Sequence, residues 1–349
     1  MKILHLIFSL NIGGAETMLV DILDQQVKSG RELFLIVVNK SVSYKLLNRI
    51  NKKIKIILLN RPESSRNPYW YVLLNYWLVS LKPDIIHCHN ETLIKFILPI
   101  FHKKSVLTIH DIGIEFKNYG YYKKLFSISH TVKNDILERY NIDSNVIYNG
   151  IETKKIETKK RYNANLLFRI IIVSRLQHEK KGQHIVLEAL SILKKKGINK
   201  IHLDFIGSGK SESYLKSMTE RLGLEQQVSF LGLQDREYIY SHLKDYELLI
   251  QPSIYEGFGL TIIEAVAAGL PVLVSACDGP LELMKELNTG YMFNKGDAKD
   301  CAEKIGKIML EYGTYKMLQN IEQNKNKVKE NFDISFTANE YLQNYIKLI

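Results

Sequence analysis

Gln251-Pro252-Ser253-Ile254-Tyr255-Glu256-Gly257-Phe258-Gly259-Leu260-Thr261-Ile262-Ile263-Glu264-Ala265-Val266-Ala267-Ala268-Gly269-Leu270-Pro271-Val272 reads as the end of a strand, a glycine turn, a helix, a stop and a new strand. The preceding run Glu247-Leu248-Leu249-Ile250 is short and apolar, as a buried strand should be, and Pro252 bounds it. Gly257 and Gly259 allow a tight turn with bare amides, and Thr261–Ala268 is rich in helix formers. Gly269 and Pro271 end that helix. A helix start behind a glycine turn presents unpaired N–H groups and partial positive charge, a cradle for phosphate or sugar oxygens.

Glu256 and Glu264 bracket the turn with seven residues between them. Two carboxylates aimed at one pocket suit a ligand rich in hydroxyls. The spacing Thr261-x-x-Glu264 equally describes a capping box, in which Glu264 only satisfies a backbone donor. Spacing alone leaves both readings open.

The chain around this stretch alternates in the same way. Ile3–Phe8, Leu33–Val38, Ile54–Leu59, Asp84–Cys88 and Ser105–Ile109 read as strands, with helical patterns such as Glu16–Lys28 and Tyr71–Leu81 between them. The alternation restarts at Phe168–Val173, followed by Gln183–Lys196 as a helix. At 349 residues, with 46% apolar side chains, two α/β domains are expected, each a parallel sheet wound on both faces. Ligands of such sheets sit beyond the carboxyl ends of the strands. Asn11-Ile12-Gly13-Gly14-Ala15-Glu16 is one such place, and Gly13-Gly14 could bring bare backbone to a diphosphate or be a plain turn. It is not the Gly-x-Gly-x-x-Gly dinucleotide fingerprint. His110-Asp111 is another strand end, and Ser174–Gly182, with Arg175, Lys180 and Lys181, a third.

Other features exclude function classes. Three isolated cysteines, Cys88, Cys277 and Cys301, give no disulfide framework and point to a reducing compartment. Met1–Phe8 has no small-residue cleavage site after it and reads as a first strand, and no uncharged run reaches spanning length. A cytoplasmic protein, soluble or at the inner face of the membrane, is expected. His87 and His89 fall on one face of a strand and Cys88 on the other, so His-Cys-His cannot form a compact metal site. His89, at that strand's end, is a candidate for lining an acceptor cleft.

Net charge is +11, and residues 1–150 carry 20 Lys and Arg against 12 Asp and Glu. That basic half could face an anionic bilayer or a phosphorylated substrate. Nucleic acid is not expected, because no Arg-rich tail, zinc-finger spacing or RNA-binding aromatic motif occurs. Arg66–Tyr71, leading to Tyr76 and Trp77, and Lys117–Lys124 each set aromatics among cations. Each reads either as core-facing or as a membrane interface.

The string Pro-Ser-x-x-Glu-Gly-Phe-Gly-Leu-x-x-x-Glu-Ala, then Ala-x-Gly-x-Pro-Val, resembles the signature of the retaining family-4 glycosyltransferases of GT-B fold. The resemblance implies two Rossmann-like, doubly wound parallel-sheet domains facing a central cleft. They are expected at 1–152 and 163–333, with a hinge in the charged stretch Glu152–Arg161, a solvated linker or surface helix. A terminal helix, 334–349, is expected to pack back on the first domain. By the same resemblance Glu256 and His110 approach the donor sugar, and Arg175 with Lys181 neutralises the diphosphate, Lys180 competing for that place. Gly257, Phe258, Gly259 and Leu260 offer amides, Glu264 holds the ribose, Gly13 and Gly14 meet the diphosphate, and Val228–Gly232 lies near the base.

The implied reaction is retaining transfer of a hexosyl or N-acetylhexosaminyl group from a nucleoside diphosphate sugar, UDP-sugar favoured, to a saccharide or lipid-linked saccharide. Surface polysaccharide or lipopolysaccharide assembly is the implied setting. The sequence holds no Asp-x-Asp carboxylate pair, so transfer independent of metal or other cofactor is expected. A sugar-nucleotide epimerase of the same fold and a non-catalytic binding subunit remain as alternatives.

Overall fold

The computed structural model describes residues 1–115, 118–163 and 167–349. The chain forms two compact units, Met1–Ile151 with Asp333–Ile349, and Glu152–Phe332.

The first unit holds β1 (Lys2–Ile7), β2 (Glu32–Asn39), β3 (Lys55–Arg61), β4 (Ile85–Cys88), β5 (Ser105–Ile109), β6 (Lys124–Ser127) and β7 (Asn145–Val146). They pair in the order β3-β2-β1-β4-β5-β6-β7, every pair parallel. Runs such as Leu33–Val38 are buried along their whole length, which a sheet covered on both faces requires. Strand order reverses between β1 and β4, so the loops after them diverge and open a crevice.

The helix Gly14–Gln26 covers one face together with the last helix, Ile334–Ile346. Met18, Ile22, Ala338, Tyr341 and Tyr345 lie in one core cluster with β1 and β2. The chain re-enters this unit where Ile334 N donates to Ile151 O, 2.9 Å away.

The second unit holds β8 (Phe168–Val173), β9 (Ile201–Ile206), β10 (Val228–Phe230), β11 (Leu248–Gln251), β12 (Val272–Ser275) and β13 (Tyr291–Phe293). The order is β10-β9-β8-β11-β12-β13, again parallel throughout, with its reversal between β8 and β11. The helix Gln183–Lys195 follows β8 and buries Ile185, Val186, Leu190 and Leu193 in the core.

Two expectations need correction. Glu152–Arg161 is neither a helix nor a solvated linker: it starts with a 3₁₀ turn, buries Ile156, and Lys159 Nζ lies 3.0 Å from Glu247 Oε1 with both side chains largely covered. A charged composition hid a segment that packs because its lysine has a partner. The tyrosines near Lys124 do not make a membrane face, since Tyr119 and Tyr122 are buried and Tyr121 alone of the three is exposed. Tyr122 donates to Glu91 O at 3.0 Å, so its hydroxyl is used internally. Lys117 of that stretch lies outside the described residues.

Among the described residues no helix is long and apolar enough to cross a membrane.

Candidate active site

In the second unit the loops after β8 and β11 leave the sheet at its reversal and meet. Gly182, with φ 67°, stands where an added Cβ would lie 1.9 Å from Pro252 O. Ile254 N donates to Lys180 O across 2.9 Å. Only a glycine lets the two backbones approach this closely.

That approach carries Lys181 Nζ to 2.6 Å from Glu256 Oε2. Gln251 Nε2 donates to the same oxygen at 3.0 Å, and Ser253 Oγ lies 3.5 Å from it. Thr261 Oγ1 donates to Gln251 Oε1 at 2.9 Å, which fixes the amide with its nitrogen towards Glu256. Lys181 and Glu256 retain 20% and 18% of their side-chain exposure, so the pair is shielded but reachable. Of the adjacent lysines, Lys181 makes this contact, while the Lys180 carbonyl braces the opposite loop.

The helix Leu260–Ala268 begins behind Gly259, in left-handed backbone at φ 108°, with no side chain capping its first turn. Thr261 sits inside the helix with its hydroxyl on Gln251, so the capping box is not formed. Glu264 turns to Arg236 instead, 3.8 Å away, both side chains buried. The ring of Phe258 is buried 6.2 Å from that of Phe332, so Phe258 has only its backbone to offer a ligand. Leu260 remains partly open, whereas Gly257 and Gly259 are buried. Arg175 is exposed at the end of β8, forms no ion pair among the described residues, and its carbonyl accepts from Gln183 Nε2 at 2.8 Å.

In the first unit Gly13 and Gly14 lie after β1, Gly13 as the cap residue of a helix, with the Glu16 carboxylate close against it, and Gly14 as the first helical residue. Beside them runs a row of histidines. His5 Nε2 lies 2.9 Å from Gln26 Oε1, His5 Nδ1 3.0 Å from His89 Nε2, and His89 Nδ1 3.4 Å from His110 Nε2. Burial lowers the pKa of His5 and of His110 to about 4. His87 and His89 are held well below their usual range by burial and then by neighbouring histidines. All four are neutral at pH 7.

A neutral imidazole donates from one nitrogen and accepts at the other. With Gln26 Oε1 accepting from His5, the protons fall in one order: His89 donates to His5, His110 donates to His89, and His110 Nδ1 keeps a bare lone pair. That atom is covered and has no hydrogen-bond partner.

Cys88 points away from this row, its thiol pushed up to about 12 by burial. The third histidine near His87 and His89 is His5, whose ring nitrogens come within 4.8 Å of theirs. Every ring nitrogen of the three is already hydrogen-bonded, His87 to Tyr345 at 2.5 Å and to Thr108 at 2.7 Å, so a cation would have to displace these bonds.

Two parallel sheets of this order, with a lysine and a carboxylate joined over the reversal of the second and a glycine-started helix beside them, bring a cation, a carboxylate and backbone amides to one strand end. The glycosyl transferases group 1 family profile matches residues 154–328, and the glycosyltransferase family 4 profile matches residues 12–155. The chain belongs to the group 1 and family 4 glycosyltransferases. It is 34% identical over 164 residues to the amylovoran biosynthesis glycosyltransferase AmsK of Erwinia amylovora, a match spanning 45% of this chain and 40% of that one. With the lipopolysaccharide 1,6-galactosyltransferase of Escherichia coli it shares 25% identity over 241 residues, 64% of this chain and 65% of the relative. The chain spans about half the length of the first curated relatives it matches.

Among solved structures, a glycosyltransferase from Rickettsia africae superposes with a TM-score of 0.83 at 21% identity, covering 99% of this chain and 98% of that one. Anabaena HepE in complex with UDP-glucose gives 0.81 at 21% identity, covering 99% of each. These likenesses establish the GT-B type of fold.

Sequence reasoning did not find Gln251, Thr261 or Arg236 as partners of the two glutamates. A polar residue closing a buried strand, Gln251, was the available signal. His5 gave none, because sheet order alone sets it beside His89.

Proposed function

We propose that the protein is a retaining glycosyltransferase that moves a hexosyl or N-acetylhexosaminyl group from a nucleoside diphosphate sugar to a saccharide or lipid-linked saccharide. The observation that carries this reading is the Lys181–Glu256 contact at the reversal of the second sheet, beside an uncapped helix start. Its likeness to glycosyltransferases of amylovoran and lipopolysaccharide synthesis, and to HepE in complex with UDP-glucose, supports a UDP-sugar donor and a role in surface polysaccharide assembly.

In this reading the bond between the anomeric carbon and the diphosphate oxygen breaks, and its electron pair leaves with the diphosphate. Arg175, Lys181 and the amides from Gly257 to Leu260 stabilise that growing charge, an effect that can supply several kcal/mol. Glu256 steadies the positive charge on the sugar, and Glu264 holds the ribose. The acceptor hydroxyl attacks from the face the diphosphate leaves, and its proton passes to a departing phosphate oxygen. His110, at the end of β5, faces the donor sugar, and the Gly13-Gly14 amides meet phosphate. With two side-chain cations in this role, the reaction needs no metal.

A donor-hydrolysis screen over UDP-, GDP- and dTDP-sugars, with product anomer read by NMR, tests the reading. Cleavage of at least one donor, lost in Glu256→Ala, sustains it. Epimer exchange without cleavage would favour an isomerase, and binding without turnover a carrier subunit.

A further inference from the structure

Arg61 closes β3 at the carboxyl end of the first sheet, where ligands of parallel sheets bind. The register of β2 and β3 shifts between Val37 and Asn39 and pairs Asn39 with Arg61, which shares the buried face of Ile57 and Leu59. Its Nη1 donates to Asn39 Oδ1 at 2.8 Å, its Nη2 to Ser65 O at 2.6 Å, and the guanidinium lies 5.4 Å from the Phe96 ring centre. Every partner is neutral, Arg61 is 8% exposed, and its Nε has no partner. A buried charge without a counterion is costly enough that chains rarely keep one unless a ligand supplies the opposite sign.

Arg61 lines a cavity of ≈ 520 Å³ with Ser65, Arg66, Tyr71, Lys95 and Phe96. No carboxylate lines it, and neither Arg66 nor Lys95 makes an ion pair among the described residues. Three cations thus converge on a space far larger than one phosphate. The wall at Ser64 holds left-handed backbone at φ 62°, strain of the kind found at ligand sites.

From this cavity runs the helix Tyr69–Leu81. Its inward face buries Leu74, Leu78 and Leu81, while Tyr69, Val72, Tyr76 and Val79 stand 55%, 63%, 61% and 52% exposed. Their spacing of three, four and three residues makes one continuous outward stripe. Tyrosine and valine on an outward face, with arginine and lysine at one end, match a bilayer's boundary layer.

We propose that this cavity binds the phosphate or diphosphate of a membrane-borne amphiphile, with the Tyr69–Val79 stripe seated among its lipid neighbours. That the amphiphile is the sugar acceptor rests on the glycosyltransferase reading; the binding does not. Charge complementarity selects the anionic headgroup, and the stripe selects a lipid carrier over a free phosphate.

Flotation with phosphatidylcholine vesicles, plain or carrying a few mole per cent of a polyprenyl diphosphate, tests this, with soluble pyrophosphate as competitor. Binding to the doped vesicles alone, reduced by pyrophosphate, is expected. Arg66→Gln/Lys95→Gln should weaken it roughly tenfold to thirtyfold, at about fivefold per cation. Val72→Ser/Tyr76→Ser should weaken vesicle binding and leave pyrophosphate binding unchanged. Both doubles replace exposed side chains, and a thermal melt checks their folding. Equal binding to vesicles of phosphatidylglycerol, insensitive to the cation double, overturns the proposal as mere surface attraction. Pyrophosphate binding with no vesicle binding overturns the lipid carrier, and absence of both overturns the site. A protein that cleaves nucleotide sugars but ignores these vesicles leaves the enzyme reading standing; one that binds them without cleaving any donor does the reverse.

Discussion

Lys181 Nζ and Glu256 Oε2 lie 2.6 Å apart although 75 residues separate them in the chain. The contact joins the two loops that part at the reversal of the second sheet, and it couples the cation proposed for the diphosphate to the carboxylate proposed for the sugar. Removing either partner leaves the other shielded and unpaired, so each acts partly through its neighbour.

Glu256→Ala, Lys181→Ala and Arg175→Ala are each expected to lower donor turnover about tenfold to a hundredfold. The Glu256→Ala/Lys181→Ala double should fall short of the product of its singles, because the two share one interaction. Rates of the singles and the double on one donor, with folding checked by thermal melting, decide this. Near-normal rates in all three singles would remove the proposed mechanism.

Gly182→Ala should cost on the order of 2 kcal/mol or more, since it meets both an adverse φ and a backbone oxygen at 1.9 Å. Urea unfolding measures the loss. Because the same glycine sets the approach of Lys181 to Glu256, donor affinity should fall with it.

Acid should weaken the first unit. His5 is folded with a pKa lowered to about 4 against 6.5 for the free side chain, so below pH 6.5 the unfolded chain takes up the proton that the folded one refuses. Its contribution is complete above about pH 6.5 and is lost as pH falls towards 4, at about 1.4 kcal/mol per pH unit in the middle of that window. His87 and His89 shift in the same direction. Unfolding free energies between pH 7.5 and 5 should therefore decline more steeply in the wild type than in His5→Gln.

Gln26→Ala removes the group that orders the protons of the histidine row. Nitrogen-15 shifts of His110 should show Nδ1 bare in the wild type and a mixture of both tautomers in the variant. A single unchanged tautomer would show that Gln26 does not set it.

Tyr345→Phe deletes the hydroxyl that meets His87 Nδ1 in the buried core, leaving a ring nitrogen unsatisfied. A loss of about 1–3 kcal/mol is expected from equilibrium unfolding.

Much of this architecture is legible in the sequence because strands of a doubly covered parallel sheet are nearly all apolar, as Phe168–Val173 and Leu33–Val38 are. Short strands such as Tyr291–Phe293 carry too few residues to show any period. The loop motif around Glu256 could be read because glycines, proline and acid recur at set places. Its supporting bonds from Gln251 and Thr261 could not, since they depend on where a strand end faces a helix. Arg61 is less legible still: nothing in Asn60-Arg61-Pro62 tells that its charge is buried without a counterion. Outward and inward faces of Tyr69–Leu81 are both apolar, so composition alone could not choose between core and boundary layer.

The helix Ile334–Ile346 supplies the first sheet with Tyr341 and Tyr345, yet the ribosome makes it only after the whole of Glu152–Phe332. At ordinary rates of synthesis the nascent amino-terminal half waits on the order of ten seconds or more for its missing wall. During that wait the faces around His87 and Phe126 stand open to water and to other chains. Folding of this half is thus tied to the synthesis of Ile334–Ile346, and chaperones that shelter nascent chains have a defined interval and surface on which to act.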